Sequence, residues 1–179
     1  MIWEPYWHPD PNIGRVASVY LNEDKTLIKR HYIKNGVTVN GKVSEQSEEY
    51  IEKKWLNESY WLTRFQLMPW VPTLVSINYK ERFIIQEYYG PDLLISGYKD
   101  IPDIEDQIVE IYQYFKEINV YKLNGALSNM TKKNGKVIMF DFKYMSERTE
   151  ELKPHALFEI KAWLSKITPN ISKRLEELM

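Results

Sequence analysis

The sequence predicts one α+β domain, and three observations predict it. β-Branched and aromatic runs separated by turn residues cluster in the first half of the chain. Helix-period apolar patterns dominate the second half. With 179 residues, 44% apolar and 27% charged, the chain can bury one sizeable core but is too short for two ordinary domains.

The elements follow in order. The stretch to Pro11, with Trp3, Tyr6, Trp7 and three prolines, reads as an extended arm whose aromatic residues pack against the strands or bind a partner. Val16 to Tyr20 and Lys25 to Tyr32 are strand-like, and Asn22-Glu23-Asp24 between them makes a hairpin turn. Asn35-Gly36 and Asn40-Gly41 flank a polar stretch that is either another hairpin or a loop. From Ser44 to Met68, Tyr50, Ile51, Trp55, Leu56, Tyr60, Leu62 and Phe65 recur at helical spacing behind a serine capping signal, and Pro69 and Pro72 end the helix. Thr73 to Ile77 and Arg82 to Tyr88 read as two strands, broken by Gly90-Pro91. A helix over Ile104 to Ile118 carries Ile108, Ile111, Tyr112 and Phe115 on one face. A loop over Lys122 to Met130, an apolar strand over Lys136 to Phe142, and helices over His155 to Ile167 and after Pro169 complete the chain.

Composition excludes several classes. Lys and Arg total 24 against 25 Asp and Glu, a net charge of −1, so neither nucleic acid nor an anionic membrane surface is an expected partner. The absence of cysteine removes disulfides, thiolate nucleophiles and Cys-based zinc sites, and fits a reducing compartment. His8, His31 and His155 lack metal-ligand spacing. No apolar run approaches the roughly 20 residues of a membrane span, and the N-terminus does not resemble a signal peptide, so the cytoplasm of a cell or of an infected host is the expected location.

Four pieces stand in an order that resembles the protein-kinase superfamily. Lys29, in LIKRHY, lies on the strand after a hairpin; Glu58 lies mid-helix in LNESYWL; FIIQEYYGPDL puts Gln86 and Glu87 at a strand-to-hinge junction. Then Asn124-Gly125-Ala126-Leu127-Ser128-Asn129 and the apolar run ending Asp141-Phe142 match the spacing of the family's D-x-x-x-x-N loop and D-F-G strand. The resemblance spans roughly residues 12 to 165 and implies a two-lobed minimal kinase-like fold. Its small N-terminal lobe, about 12–88, has an antiparallel sheet and one helix. A hinge at about 87–92 leads to a mostly helical C-terminal lobe at about 93–179.

What the resemblance implies for chemistry is specific, because phosphoryl transfer is mainly positioning and charge neutralisation. Lys29 would meet the nucleotide phosphates and Glu58 would hold it. Gln86 is the gatekeeper, Glu87 begins the hinge, and Gly14 belongs to the phosphate-covering loop. Asn129 and Asp141 would bind magnesium, with ATP as the nucleotide. The position of the proton-accepting aspartate is Asn124, an amide that is no base near neutral pH.

Other departures go the same way. Ile13 to Ser18 holds one glycine where the family has three, Lys143 replaces the D-F-G glycine, and Lys122-Leu123 replaces His-Arg. No A-P-E-like segment follows Asp141, a brevity that resembles the small RIO-like and aminoglycoside- or sugar-kinase-like branches and a microbial or viral source. Glu159 stands where an acidic brace of the catalytic loop is expected. The resemblance therefore implies a pseudokinase or Mg-nucleotide-binding module working through a protein partner. The alternatives are an active, divergent phosphotransferase or nucleotidyl transferase with a small-molecule or protein acceptor, and an unrelated α+β interaction protein. Each motif also has a plainer account. Lys29 is then one of a solvated Lys-Arg-His stripe, Asp141 a partnered structural carboxylate, and Asn124-Gly125 a turn. Asn129, Asp92 and Asp100 to Asp106 would be loop or cap residues.

Overall fold

The computed structural model describes residues 1–6, 16–33, 36–39 and 42–179. They divide into two compact units, Met1–Gln66 with Pro72–Tyr88, and Leu67–Val71 with Tyr89–Met179. The predicted α+β class holds: the first unit is an antiparallel sheet with one long helix, and the second is mostly helical.

In the first unit, β1 (Trp3–Pro5), β2 (Ser18–Asn22), β3 (Leu27–His31), β6 (Leu74–Asn78) and β7 (Phe83–Glu87) form a sheet in the order β1-β2-β3-β7-β6. The hairpin between β2 and β3 closes through Asn22, whose Oδ1 accepts the N–H groups of Thr26 (2.9 Å) and Leu27 (2.7 Å). The N-terminal arm contributes β1 as an edge strand, where Pro5 costs no central ladder bond. A separate ribbon pairs β4 (Gly36–Val39) with β5 (Lys42–Glu45), so Gly36 opens a strand. Asn35 and Asn40-Gly41, like His8 and residues 13–15 of the expected phosphate-covering loop, Gly14 among them, lie outside the described residues.

Helix α1 (Glu48–Phe65) starts at Ser47, whose Oγ accepts the N–H of Tyr50 at 3.1 Å. It buries Ile51, Trp55, Glu58, Trp61, Leu62 and Phe65. Leu56 and Tyr60, expected on that face, are exposed, because a 3.6-residue period turns them away from the stripe through Ile51, Trp55 and Leu62. Trp55 meets Tyr32 from the end of β3, with ring centroids 5.7 Å apart, which brings the helix against one face of the sheet.

The second unit holds α2 (Leu93–Ser96), α3 (Ile104–Glu117), α4 (Lys153–Trp163) and α5 (Pro169–Glu176). It also holds two ribbons, β8 (Val120–Lys122) with β11 (Met145–Glu147) and β9 (Met130–Lys133) with β10 (Lys136–Met139). Asp92 caps α2, accepting from the N–H groups of Leu94 and Ile95. Ile108, Ile111, Tyr112 and Phe115 of α3 are buried as their spacing predicts. Trp70 packs its ring against Tyr114 and Phe115, and its carbonyl accepts from Met139 N–H at 2.7 Å.

Three strands here were not expected. β9 and β10 are joined by Asn134-Gly135, both at positive φ (51° and 73°), as a two-residue turn of the twisted-hairpin type needs. That dipeptide is the signal that finds the hairpin. β8 and β11 are only three residues each, and are specified by their pairing rather than by local pattern. The strand predicted over Lys136 to Phe142 stops at Met139, because Asp141 adopts φ 62°, a left-handed conformation incompatible with an extended ladder.

Candidate functional site

In the first unit, strand register decides which cation meets Glu58. Successive residues of β3 point to opposite faces. Arg30 pairs across the ladder with Ile84, and it shares the helix-facing side with buried Tyr32, Ile84 and Gln86. Lys29 pairs with Ile85 on the other face. The ion pair is accordingly Arg30 with Glu58, Nη2 to Oε1 at 2.9 Å, with the Glu58 side chain wholly buried. Arg30 also donates to Gln86 Oε1. Lys29 is not the glutamate's partner, which corrects the expectation. Its ammonium lies over the rings of Phe83 (4.6 Å), Trp3 (5.7 Å) and Tyr20 (5.9 Å). The parity of β3 carries the missed signal, since Arg30 and not Lys29 shares a side with Ile28 and Tyr32.

Gln86, the expected gatekeeper, is 1% exposed, and its Nε2 finds no hydrogen-bond partner among the described residues. Glu87 is the last residue of β7, half-buried, with its N–H donated to the Thr73 carbonyl. His31 on the opposite face has its pKa lowered, first by burial and then by nearby Lys29.

In the second unit, Lys122 ends β8 at 2% exposure, so its ammonium must be saturated by nearby oxygens. It donates to Asn124 Oδ1 (3.0 Å) and to the carbonyls of Phe140 (3.1 Å) and Asp141 (2.6 Å). Asn124 Nδ2 donates to the same Asp141 carbonyl at 3.2 Å. The Asn124 carbonyl in turn accepts from Asn129 Nδ2 at 2.7 Å, and the Asn129 carbonyl accepts from Phe140 N–H at 3.0 Å. Asn124, Asn129 and Asp141 are thus brought into one network, and Lys122 is the residue that organises it. In the sequence Lys122 stands out only as a departure from His-Arg.

The left-handed turn at Asp141 returns the chain so that Lys143 forms an ion pair with Asp141 Oδ2. Both side chains are mostly buried, at 13% and 17% exposure. This bears on the magnesium that the kinase resemblance implies through Asn129 and Asp141. At that point the donors are one amide and one carboxylate already neutralised by an ammonium. A second cation on the same carboxylate would meet Lys143 at a cost of about 4 kcal/mol per unit charge at 4 Å in a surface-like dielectric. Among the described residues, no group of three His, Asp or Glu side chains could hold a metal ion. In this arrangement Lys143 occupies one oxygen of the Asp141 carboxylate.

Glu159 on α4 is half-buried, and its pKa is raised by burial, a shift opposed by the charges of His155 and Lys122. His155 Nε2 lies 3.2 Å from the Leu123 carbonyl, next to the loop. A carboxyl whose folded pKa is raised favours the fold below the usual glutamate range, and that contribution is lost as pH rises through the folded value. Glu159→Gln should therefore raise the melting temperature at pH 7, and the gain should shrink as pH falls toward ~4, the ordinary glutamate range. A melting series across pH checks it, and a lower melting temperature for the variant at pH 7 would mean that Glu159 works chiefly as a counter-charge.

No protein-family model matches the chain, and no curated protein matches it. Solved structures do: 586 chains match, so the fold recurs widely and does not by itself select a function. One is the crystal structure of WbdD, at 12% identity and a TM-score of 0.61, covering 97% of this chain. The chain spans 44% of the WbdD chain, and at this identity the likeness is one of fold alone.

Proposed function

We propose that this chain is a kinase-like module that binds a nucleotide, lacks the proton acceptor for phosphoryl transfer, and acts through a protein partner. The observation that carries the reading is how Asn124 is used. Its amide oxygen accepts from the Lys122 ammonium and its amide nitrogen donates to the Asp141 carbonyl. Both ends of the side chain are struts, and neither can take a hydroxyl proton. The D-x-x-x-x-N-like spacing, the aspartate beyond an apolar strand, and a buried cation–glutamate pair on a helix-backed sheet support the kinase-like part. The cation of that pair is Arg30. Among the described residues no helix is long and apolar enough to cross a membrane, and the cysteine-free composition agrees with work in the cytoplasm.

The test pairs calorimetric titration of ATP with an assay for transferred phosphate and for released AMP. Wild type should bind ATP, and Asp141→Asn should bind it no more weakly, since the change removes a negative charge and releases Lys143. No phosphate or AMP should be transferred above a protein-free blank. Transfer by wild type that Asp141→Asn abolishes would favour the divergent transferase instead. Absence of ATP binding would leave an α+β interaction protein.

A further inference from the structure

We infer that Lys29 is a modification site: the rings of Trp3, Tyr20 and Phe83 form a box suited to a methylated ammonium, and Lys29 is its occupant. Nucleotide binding plays no part in it.

The box is made by strand register. Tyr20 lies directly across from Lys29 on β2, and Ile85 directly across on β7. Pro5 lies across from Tyr20, so Trp3, two residues before it, shares this face of the sheet. Phe83, two residues before Ile85, shares it as well. Three rings from three strands thus flank one ammonium, with centroids 4.6 Å (Phe83), 5.7 Å (Trp3) and 5.9 Å (Tyr20) from Nζ. Among the described residues, Nζ meets no carboxylate or carbonyl oxygen. An unmethylated ammonium carries three strongly hydrated N–H donors, which rings do not satisfy as oxygens do. Methylation keeps the positive charge and removes those donors, so the rings hold the product better than its precursor. Lys29 and all three rings are half-buried, so the amine is reached from solvent while its methyl groups are shielded. Trp3 belongs to the edge strand β1, so the modification pins the N-terminal arm to the sheet. In the step itself, Nζ gives a proton to solvent, and its lone pair attacks the methyl carbon of a sulfonium donor held by a separate methyltransferase. The N–C bond forms as the C–S bond breaks, and the donor leaves as a neutral thioether. Two repeats give the trimethylammonium.

The chain has no cysteine, so Lys29→Cys introduces a single thiol that can be alkylated to either of two lysine analogues. One ends in an ammonium and the other in a trimethylammonium, so methylation alone separates them. The trimethylated form should melt about 1–3 °C higher, the scale of one improved cation–aromatic contact. Adding Trp3→Leu should erase that difference. An equal or lower melting temperature for the trimethylated form overturns the inference, as does a gain that survives Trp3→Leu. Tetramethylammonium chloride should stabilise wild type no more than sodium chloride at equal concentration. A larger rise would mean that the box admits free cations, and overturns the assignment to Lys29. Peptide mass mapping of the chain from the cell that makes it should show added methyl groups at Lys29. An unmodified Lys29 in that material overturns the inference too.

Discussion

Replacing Glu58 with alanine should lower the unfolding free energy by about 3–5 kcal/mol, because it strands the Arg30 guanidinium in the interior. Lys29→Ala should cost about 1 kcal/mol or less, the scale of a few partly exposed cation–aromatic contacts. The contrast discriminates between adjacent basic residues that a sequence comparison treats alike. Changing both partners, Arg30→Met with Glu58→Met, should recover much of the loss, since an apolar pair carries no desolvation penalty. Urea unfolding of the single and double variants gives the coupling directly. Strong coupling of Glu58 to Lys29 rather than to Arg30 would contradict the register of β3.

The second large effect is expected at Gly125. A Cβ built there would collide with the Tyr112 hydroxyl oxygen. Tyr112 is 2% exposed and packs against the Phe115 ring, so it cannot simply swing aside. Gly125→Ala should therefore cost about 1–3 kcal/mol of overpacking strain. The Tyr112 hydroxyl is buried without a hydrogen-bond partner among the described residues. Burial also pushes its pKa well above the usual tyrosine value, with Glu159 a lesser cause. Tyr112→Phe should then be neutral or mildly stabilising, and should rescue Gly125→Ala. A Gly125→Ala variant as stable as wild type, or one not rescued by Tyr112→Phe, would show that the loop yields instead.

Legibility varied with how local each signal was. The α+β class, the first hairpin, the cap at Ser47 and the buried face of α3 follow from periodicity and turn chemistry, which act over a few residues. β8 and β11 were illegible because three-residue strands exist only through each other. The Asn134-Gly135 turn is legible as a hairpin dipeptide. At the candidate site, the spacing of Asn124, Asn129 and Asp141 led to residues that do share one network. The roles of Lys122 and Lys143 did not follow from spacing. A buried lysine is defined by which carbonyls surround it, and the Lys143 pair depends on one unusual backbone angle at Asp141. For β3 the alternation of Ile28, Arg30 and Tyr32 places Lys29 on the face away from Glu58.

That phase has a wider consequence. With Lys29 and Arg30 side by side, a one-residue slip of β3 would still offer Glu58 a cation, so charge is nearly blind to the slip. The discrimination must come from uncharged neighbours. Slippage would pull Tyr32 away from Trp55 and take the Arg30 guanidinium from Gln86, whose oxygen meets the same Nη2 that pairs with Glu58. The alignment of the sheet is thus proofread by aromatic packing and a neutral amide. Variants that soften those contacts, and not only those that delete charges, are where mispaired strands should first accumulate during refolding.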